Sequence, residues 1–186
     1  ALSAYPMLSV LTLVFIVSGA AGLIYESIWR RYLSLFVGHS AYAQIIVLVI
    51  FLGGMSLGAL AVGDRSERLK RPLVWYVVVE AAVGVIGFQF NDLYVVVSDF
   101  AYDSLFPALA GGWALTVVKW LIASLLILPQ SILLGTTFPL MTAGAIRLAR
   151  HAPGRMLGLL YFANSFGAAG GVLLAGFFLL NRVGLP

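Results

Sequence analysis

Cysteine is absent from this chain of 186 residues, and charged residues make up only 10% of it. Without thiols, the chain forms no disulfide, zinc–thiolate site, iron–sulfur cluster or covalently attached c-type haem. Seven carboxylates and eleven Lys or Arg side chains are too few to cover the surface of a water-soluble domain. The scarcity of charge therefore excludes an ordinary soluble fold.

What the chain has instead is apolar length: 62% of its residues are hydrophobic and its mean hydropathy is +1.04. A helix needs roughly 20 mostly apolar residues to cross about 30 Å of hydrocarbon, and five segments qualify. They are residues 7–29, 43–63, 73–90, 113–146 and 156–180. We predict an all-α polytopic membrane bundle of about five spanning helices, forming one domain over residues 1–186, with a sixth helix if the long fourth segment breaks.

That fourth segment contains Pro129 and Pro139, each of which removes a backbone donor and frees a helix carbonyl. We expect nearby hydroxyls to bond the freed carbonyls; the candidates are Ser131, Thr136 and Thr137.

Two stretches are too polar to span. Residues 91–112 carry three aspartates among aromatic residues and predict an interfacial turn with an amphipathic piece. Residues 64–71 predict a short solvated loop on the cytoplasmic side, followed by Pro72 in the first turn of the next helix. The charged residues of that loop are Asp64, Arg65, Arg68, Lys70 and Arg71.

Lys and Arg resist translocation, so their distribution predicts orientation. A cytoplasmic amino terminus puts most of them on the inside, leaving Arg30, Arg31 and Arg182 outside. This pattern explains the basic charge by topology, so no nucleic acid is expected. We predict a multi-pass protein of a bacterial inner (plasma) membrane. His39 and His151 then fall in loops on opposite sides, where they cannot ligate one haem.

Small residues recur at helical spacing in three segments. The candidate packing residues are Gly54, Gly58, Gly167, Gly171, Ser18 and Gly22. Lipid supplies no hydrophobic drive for helix association, so small residues permit the close approach that dispersion requires. We expect these faces to pack tightly and to contact other membrane subunits, a second copy of the chain, or lipid.

The candidate intramembrane polar residues are Glu26, Glu80, Arg30, Asn164 and Gln44. Glu26 precedes Arg30 by one helical turn, so it either pairs with Arg30 or contacts a ligand. Glu80 has no basic residue one turn away; it either finds a partner on another helix, stays protonated, or handles a cation or proton. Asn164 and Gln44 are expected to hydrogen-bond to neighbouring helices.

No serine-protease triad, HExxH motif, P-loop or dinucleotide fingerprint occurs in the chain. We therefore expect no catalytic residue and no metal site. No cofactor is evident, although a non-covalent pigment, quinone or lipid binds by apolar shape that leaves no motif.

Three strings carry a family resemblance: SGAAGLIYESIWR at 18–30, LGTTFPL at 134–140 and GLLYFANSFG at 158–167. They resemble the amino-terminal membrane region of membrane-bound spermidine synthase-like proteins. The charged run after Gly58 is also similar to the loop between helices two and three of the major facilitator superfamily. The resemblance implies a facilitator-like helical half and a fused or separate aminopropyltransferase domain that carries the catalysis.

We therefore expect the chain itself to be a non-catalytic membrane module of that spermidine synthase-like family, acting as an anchor or accessory subunit of a larger membrane assembly. The alternative is part of a transporter for polyamines or other small cations, and a polyamine is the ligand that the resemblance implies.

Overall fold

The computed structural model describes residues 4–38, 41–109, 112–149 and 152–179, and these ranges are helical without any strand. Their α-helices are α1 (Ala4–Val37), α2 (Ala41–Arg68), α3 (Pro72–Phe100), α4 (Phe106–Ala108), α5 (Trp113–Leu148) and α6 (Pro153–Leu174). A π-helical turn follows α3 at Ala101–Leu105, and another follows α6 at Ala175–Leu179. The predicted all-α bundle is confirmed.

Five helical stretches are long and apolar enough to cross a membrane: Met7–Val37, Gln44–Arg68, Pro72–Ala108, Trp113–Leu148 and Pro153–Leu179. Large apolar side chains on their outer faces stay exposed in the fold, including Phe88 at 90%. Since water would not tolerate so many of them, these faces meet lipid, and the chain is a multi-pass membrane protein. The predicted loop residues His39 and His151, and Arg182 with its predicted place on the outer side, lie outside the described residues.

The first helix runs eight residues further than predicted, to Val37 rather than residue 29. Arg30 and Arg31 are exposed, whereas Tyr32, Leu33 and Phe36 beyond them are almost fully buried. Two adjacent charges therefore occupy the outer face of a helix whose inner face continues to pack.

The charged run after the second span is mostly helix rather than loop. Asp64, Arg65 and Arg68 lie on the last turns of α2, so the loop prediction is wrong for them; only Lys70 and Arg71 belong to the short turn before α3. The side chains of all these charged residues are exposed. The intervening Ser66 is buried, and its hydroxyl donates a hydrogen bond to the Gly63 carbonyl oxygen. Pro72 begins α3, as predicted.

The turn predicted at the start of residues 91–112 is wrong, because the helix continues through it. α3 continues through the first aspartates to Phe100, and the π-helical turn and α4 extend the same span to Ala108. The aspartates Asp92, Asp99 and Asp103 are exposed. Tyr94 and Phe106 pack against α1, where the Phe36 ring lies 5.4 Å from that of Phe106. Phe100 and Tyr102 are exposed. The helical span continues because Tyr94 and Phe106 still pack on α1.

α5 is one unbroken helix of 36 residues despite Pro129 and Pro139, so no sixth span arises from it. The hydroxyls of Ser131, Thr136 and Thr137 do bond helix carbonyls, those of Ile127, Leu133 and Leu134. A proline frees the carbonyl four residues before it, which here belongs to Leu125 and to Gly135. The expectation that these hydroxyls bond the freed carbonyls is therefore wrong.

The helices pair as α2 with α5 and α1 with α6, while α3 packs on α5 and α1. Their side chains form two apolar clusters. One surrounds Phe15, Tyr76 and Met141, near the end of the bundle that carries Lys70, Arg71 and Arg147, which we term the basic end. The other surrounds Trp29 and Phe90, towards the opposite end.

Candidate functional site

Glu80 lies about two turns, or about 12 Å, into α3, where the Ser18 hydroxyl of α1 donates a hydrogen bond to its Oε1 atom. The two residues meet because α1 and α3 run parallel with a constant offset of 62 positions. The same offset brings the Tyr94 hydroxyl to the Tyr32 carbonyl oxygen at 3.0 Å. The register of two helices therefore sets the partner of this carboxylate.

Two tyrosines lie near the Ser18–Glu80 pair. Tyr76, one turn before Glu80, is only 3% exposed, and its hydroxyl lies beside Ser18 and Glu80. That hydroxyl makes no well-formed hydrogen bond with any residue the structure describes. Tyr25 of α1 is the other tyrosine near the carboxylate, and its ring covers Gly87 of α3. The site thus offers one carboxylate, a hydroxyl donor and an unused phenol oxygen.

Glu80 sits at the junction between the two apolar clusters. Tyr76 belongs to the cluster on the side of the basic end, and Val83 to the other. Glu80 itself is half-buried. Within the described ranges no Lys, Arg or His forms an ion pair with it. A carboxylate at this depth without a basic partner is costly and marks a candidate site.

Glu26 has a different environment. Of the two alternatives predicted for it, pairing with Arg30 is the one observed. Its carboxylate lies 3.8 Å from the Arg30 Nε atom, with the Arg30 side chain exposed and that of Glu26 buried. Gly22 of α1 contacts Leu134 of the antiparallel helix α5, so Glu26, one turn later, lies level with Gln130. Gln130 is 1% exposed, and its Oε1 atom has no hydrogen-bond partner among the described residues.

Neither predicted amide bonds across to another helix within the described part of the chain. Gln44 is exposed near the start of α2. Asn164 is half-buried, and its Oδ1 atom and backbone oxygen lie against Gly19 of α1. Asn164 therefore packs closely on α1, and the predicted hydrogen bonds of both amides are not formed among the described residues.

The predicted packing glycines contact helices of this same chain. At Gly54, an added Cβ would stand 2.6 Å from the Ser131 Cβ of α5, and at Gly58 it would overlap the Ile132 carbonyl. Gly167 and Gly171 meet the α1 backbone in the same way. The expected tight packing is confirmed, and at these four glycines it joins helices of this chain. The other predicted packing pair, Ser18 and Gly22, differs. An added Cβ at Gly22 would make only an ordinary van der Waals contact with Leu134, and the Ser18 hydroxyl donates a hydrogen bond to Glu80.

Sequence reasoning overlooked Tyr76, Tyr25 and Gln130, because tyrosine and glutamine at helical spacing look like ordinary packing. The two tyrosines are recognised as part of the site only from the packing of α1 on α3, which places them near Ser18 and Glu80. Within the described ranges, no group of three His, Asp or Glu side chains is placed to hold a metal ion. Comparison with protein-family models, with curated proteins and with solved structures found no match.

Proposed function

We propose that this protein is a non-catalytic integral membrane module that binds a small cation at Glu80. The observation that carries the proposal is the Ser18–Glu80 pair, a carboxylate two turns inside a spanning helix that receives a hydroxyl and, among the described residues, no basic side chain. A bound cation would offset the cost of that charge in the membrane.

A primary ammonium group suits the surroundings of Glu80. It carries three donors, and the site supplies carboxylate and hydroxyl acceptors from Glu80, Ser18 and Tyr76. Tyrosine rings also attract cations. The resemblance to spermidine synthase-like proteins names a polyamine as the amine. The resemblance also implies that the module is an anchor or accessory subunit of a larger assembly. The alternative function is transport of the same cation.

The protein is further proposed to lie in a bacterial inner membrane with its amino terminus in the cytoplasm. The support is the collection of Arg65, Arg68, Lys70, Arg71 and Arg147 at one end of the bundle, since Lys and Arg resist translocation.

The test is direct binding of radiolabelled spermidine to the purified chain in mild detergent, with potassium and putrescine as competitors. Glu80→Gln keeps the shape of the side chain and removes its charge, so affinity should fall at least tenfold. Asp92→Asn is the matched control, since Asp92 is an exposed carboxylate on the same helix. Its affinity should equal that of the wild type.

Equal binding by wild type and Glu80→Gln would overturn the proposal, as would an equal loss in Asp92→Asn. Uptake into proteoliposomes separates the two roles. Binding without uptake supports the module, whereas uptake that Glu80→Gln abolishes supports the transporter. Far-ultraviolet circular dichroism of each variant verifies that it is folded.

A further inference from the structure

A surface groove at the start of α3 combines basic and apolar side chains. Lys70 and Arg71 stand at its mouth, Val74, Trp75 and Val78 form the rest of its lining, and its volume is about 470 Å³. Positions 71, 74, 75 and 78 recur with helical spacing, so they share one face of α3. The groove therefore runs along the helix, from the basic end towards the membrane interior.

The mouth of this groove carries positive charge that the described residues do not neutralise. Lys70 and Arg71 are exposed, and neither forms an ion pair with a carboxylate there. Arg71 is also the N-cap of α3, whose first turn has no acidic residue. The positive end of the helix dipole thus adds to the two side-chain charges. Asp64 and Glu67 line a separate groove between α2 and α5.

Arg147 of α5 holds the turn that presents this charge. Its guanidinium donates hydrogen bonds to the carbonyl oxygens of Glu67 and Leu69, at the end of α2. These carbonyls lack hydrogen-bond partners within the helix. The bonds from Arg147 supply those partners and also hold the turn in place. Lys70 and Arg71 are consequently displayed from an ordered backbone.

The wall of the groove is apolar and exposed. The exposed fractions are 53% for Val74 and 50% for both Trp75 and Val78. From Arg71 to Val78 the wall extends about 10 Å along the helix. Trp is favoured at the level of lipid headgroups, where its ring is partly apolar and partly polar. A molecule that fits must be anionic at one end and apolar along its length, which describes a phospholipid better than free phosphate or an acidic protein.

We propose that this groove binds one anionic phospholipid, with the phosphate at Lys70 and Arg71 and an acyl chain along Val74, Trp75 and Val78. The inference is independent of the cation at Glu80, which lies deeper in the bundle. Basic side chains at the membrane surface attract anionic lipid, and this groove confines that attraction to a single position.

The test is native mass spectrometry of the delipidated chain in mild detergent, after incubation with equal amounts of phosphatidylglycerol and phosphatidylcholine. We expect one phosphatidylglycerol to be retained about tenfold over phosphatidylcholine. In the double variant Lys70→Gln, Arg71→Gln that preference should disappear. Arg155→Gln is the matched control, because Arg155 is exposed near the start of α6 and outside the groove. It should keep the preference.

A second measurement uses phosphatidylglycerol with brominated acyl chains, which quenches nearby tryptophan fluorescence. Quenching should fall in Trp75→Phe but persist in Trp113→Phe. Trp75→Phe and Trp113→Phe both retain Lys70 and Arg71. The quenching measurement therefore remains decisive even if the double variant does not fold. Any one of four outcomes would overturn the proposal. They are unchanged lipid retention in the double variant, an equal loss of preference in Arg155→Gln, unchanged quenching in Trp75→Phe, and displacement of the lipid by free phosphate.

Discussion

Gly58 of α2 lies against the backbone carbonyl of Ile132 in α5, so closely that a Cβ at position 58 would overlap it. One turn earlier, Gly54 meets Ser131. Lipid is as apolar as the helix surfaces, and close backbone approach is therefore what stabilises this pair. The contact joins two helices of one chain, and it leaves no room there for a partner protein.

Gly58→Ala should lower the free energy of unfolding by about 1–3 kcal/mol, because the new methyl group forces α2 away from α5. The measurement is unfolding by sodium dodecyl sulfate from mild detergent, followed by circular dichroism. Gly53→Ala is the control, since a Cβ at Gly53 meets no atom within 4 Å. Equal destabilisation by the two substitutions would contradict the observed packing.

The contact of α6 with α1 predicts a second contrast. Gly167 faces the backbone of Ile16, whereas a Cβ at Gly170 has no neighbour within 4 Å. Gly167→Ala should cost about 1–3 kcal/mol, and Gly170→Ala should be neutral or slightly stabilising because alanine favours helix. The same unfolding assay measures both. A neutral Gly167→Ala would show that α1 and α6 are not in contact at this point.

Ser18→Ala should destabilise the fold by about 1–2 kcal/mol, since it removes the hydroxyl that donates a hydrogen bond to the Glu80 carboxylate. Its control is Ser56→Ala, where the hydroxyl bonds only the Leu52 carbonyl of its own exposed helix face. The combination Ser18→Ala with Glu80→Gln tests the pair directly. Their effects should be less than additive, and strict additivity would show that no interaction links them.

The proposed orientation can be tested by single cysteines, because the chain has none of its own. Arg68 and Trp113 are both exposed, and they lie at opposite ends of the bundle. In intact cells a membrane-impermeant maleimide should label Trp113→Cys at once and Arg68→Cys only after permeabilisation. The reverse pattern would place the amino terminus outside.

The number of spans was predictable because it depends on local length and hydropathy. The helix ends were less so. In 91–100, aspartates at helical spacing lie on the outer face of a continuing helix, and the composition of that stretch suggested a break. In α1, the adjacent Arg30 and Arg31 similarly suggested an end that the buried Tyr32 and Leu33 do not permit.

The candidate site was predictable in part. Glu80 is predictable from its type and depth, whereas its partner Ser18 belongs to a small-residue motif that predicts helix packing. The two residues are 62 positions apart, and no local pattern encodes the register of two helices. Glu26 was simpler, since its partner Arg30 follows one turn later on the same helix.

By itself the sequence determined that this protein is an all-α membrane bundle, with five helices long and apolar enough to span in the described part of the chain, because it has little charge and long apolar segments. The tertiary structure alone decided which faces meet: Gly58 with α5, Gly167 with α1, and Ser18 with Glu80. The physical reason is that lipid and neighbouring helices both demand apolar side chains, so helical periodicity carries little information about which face turns inward.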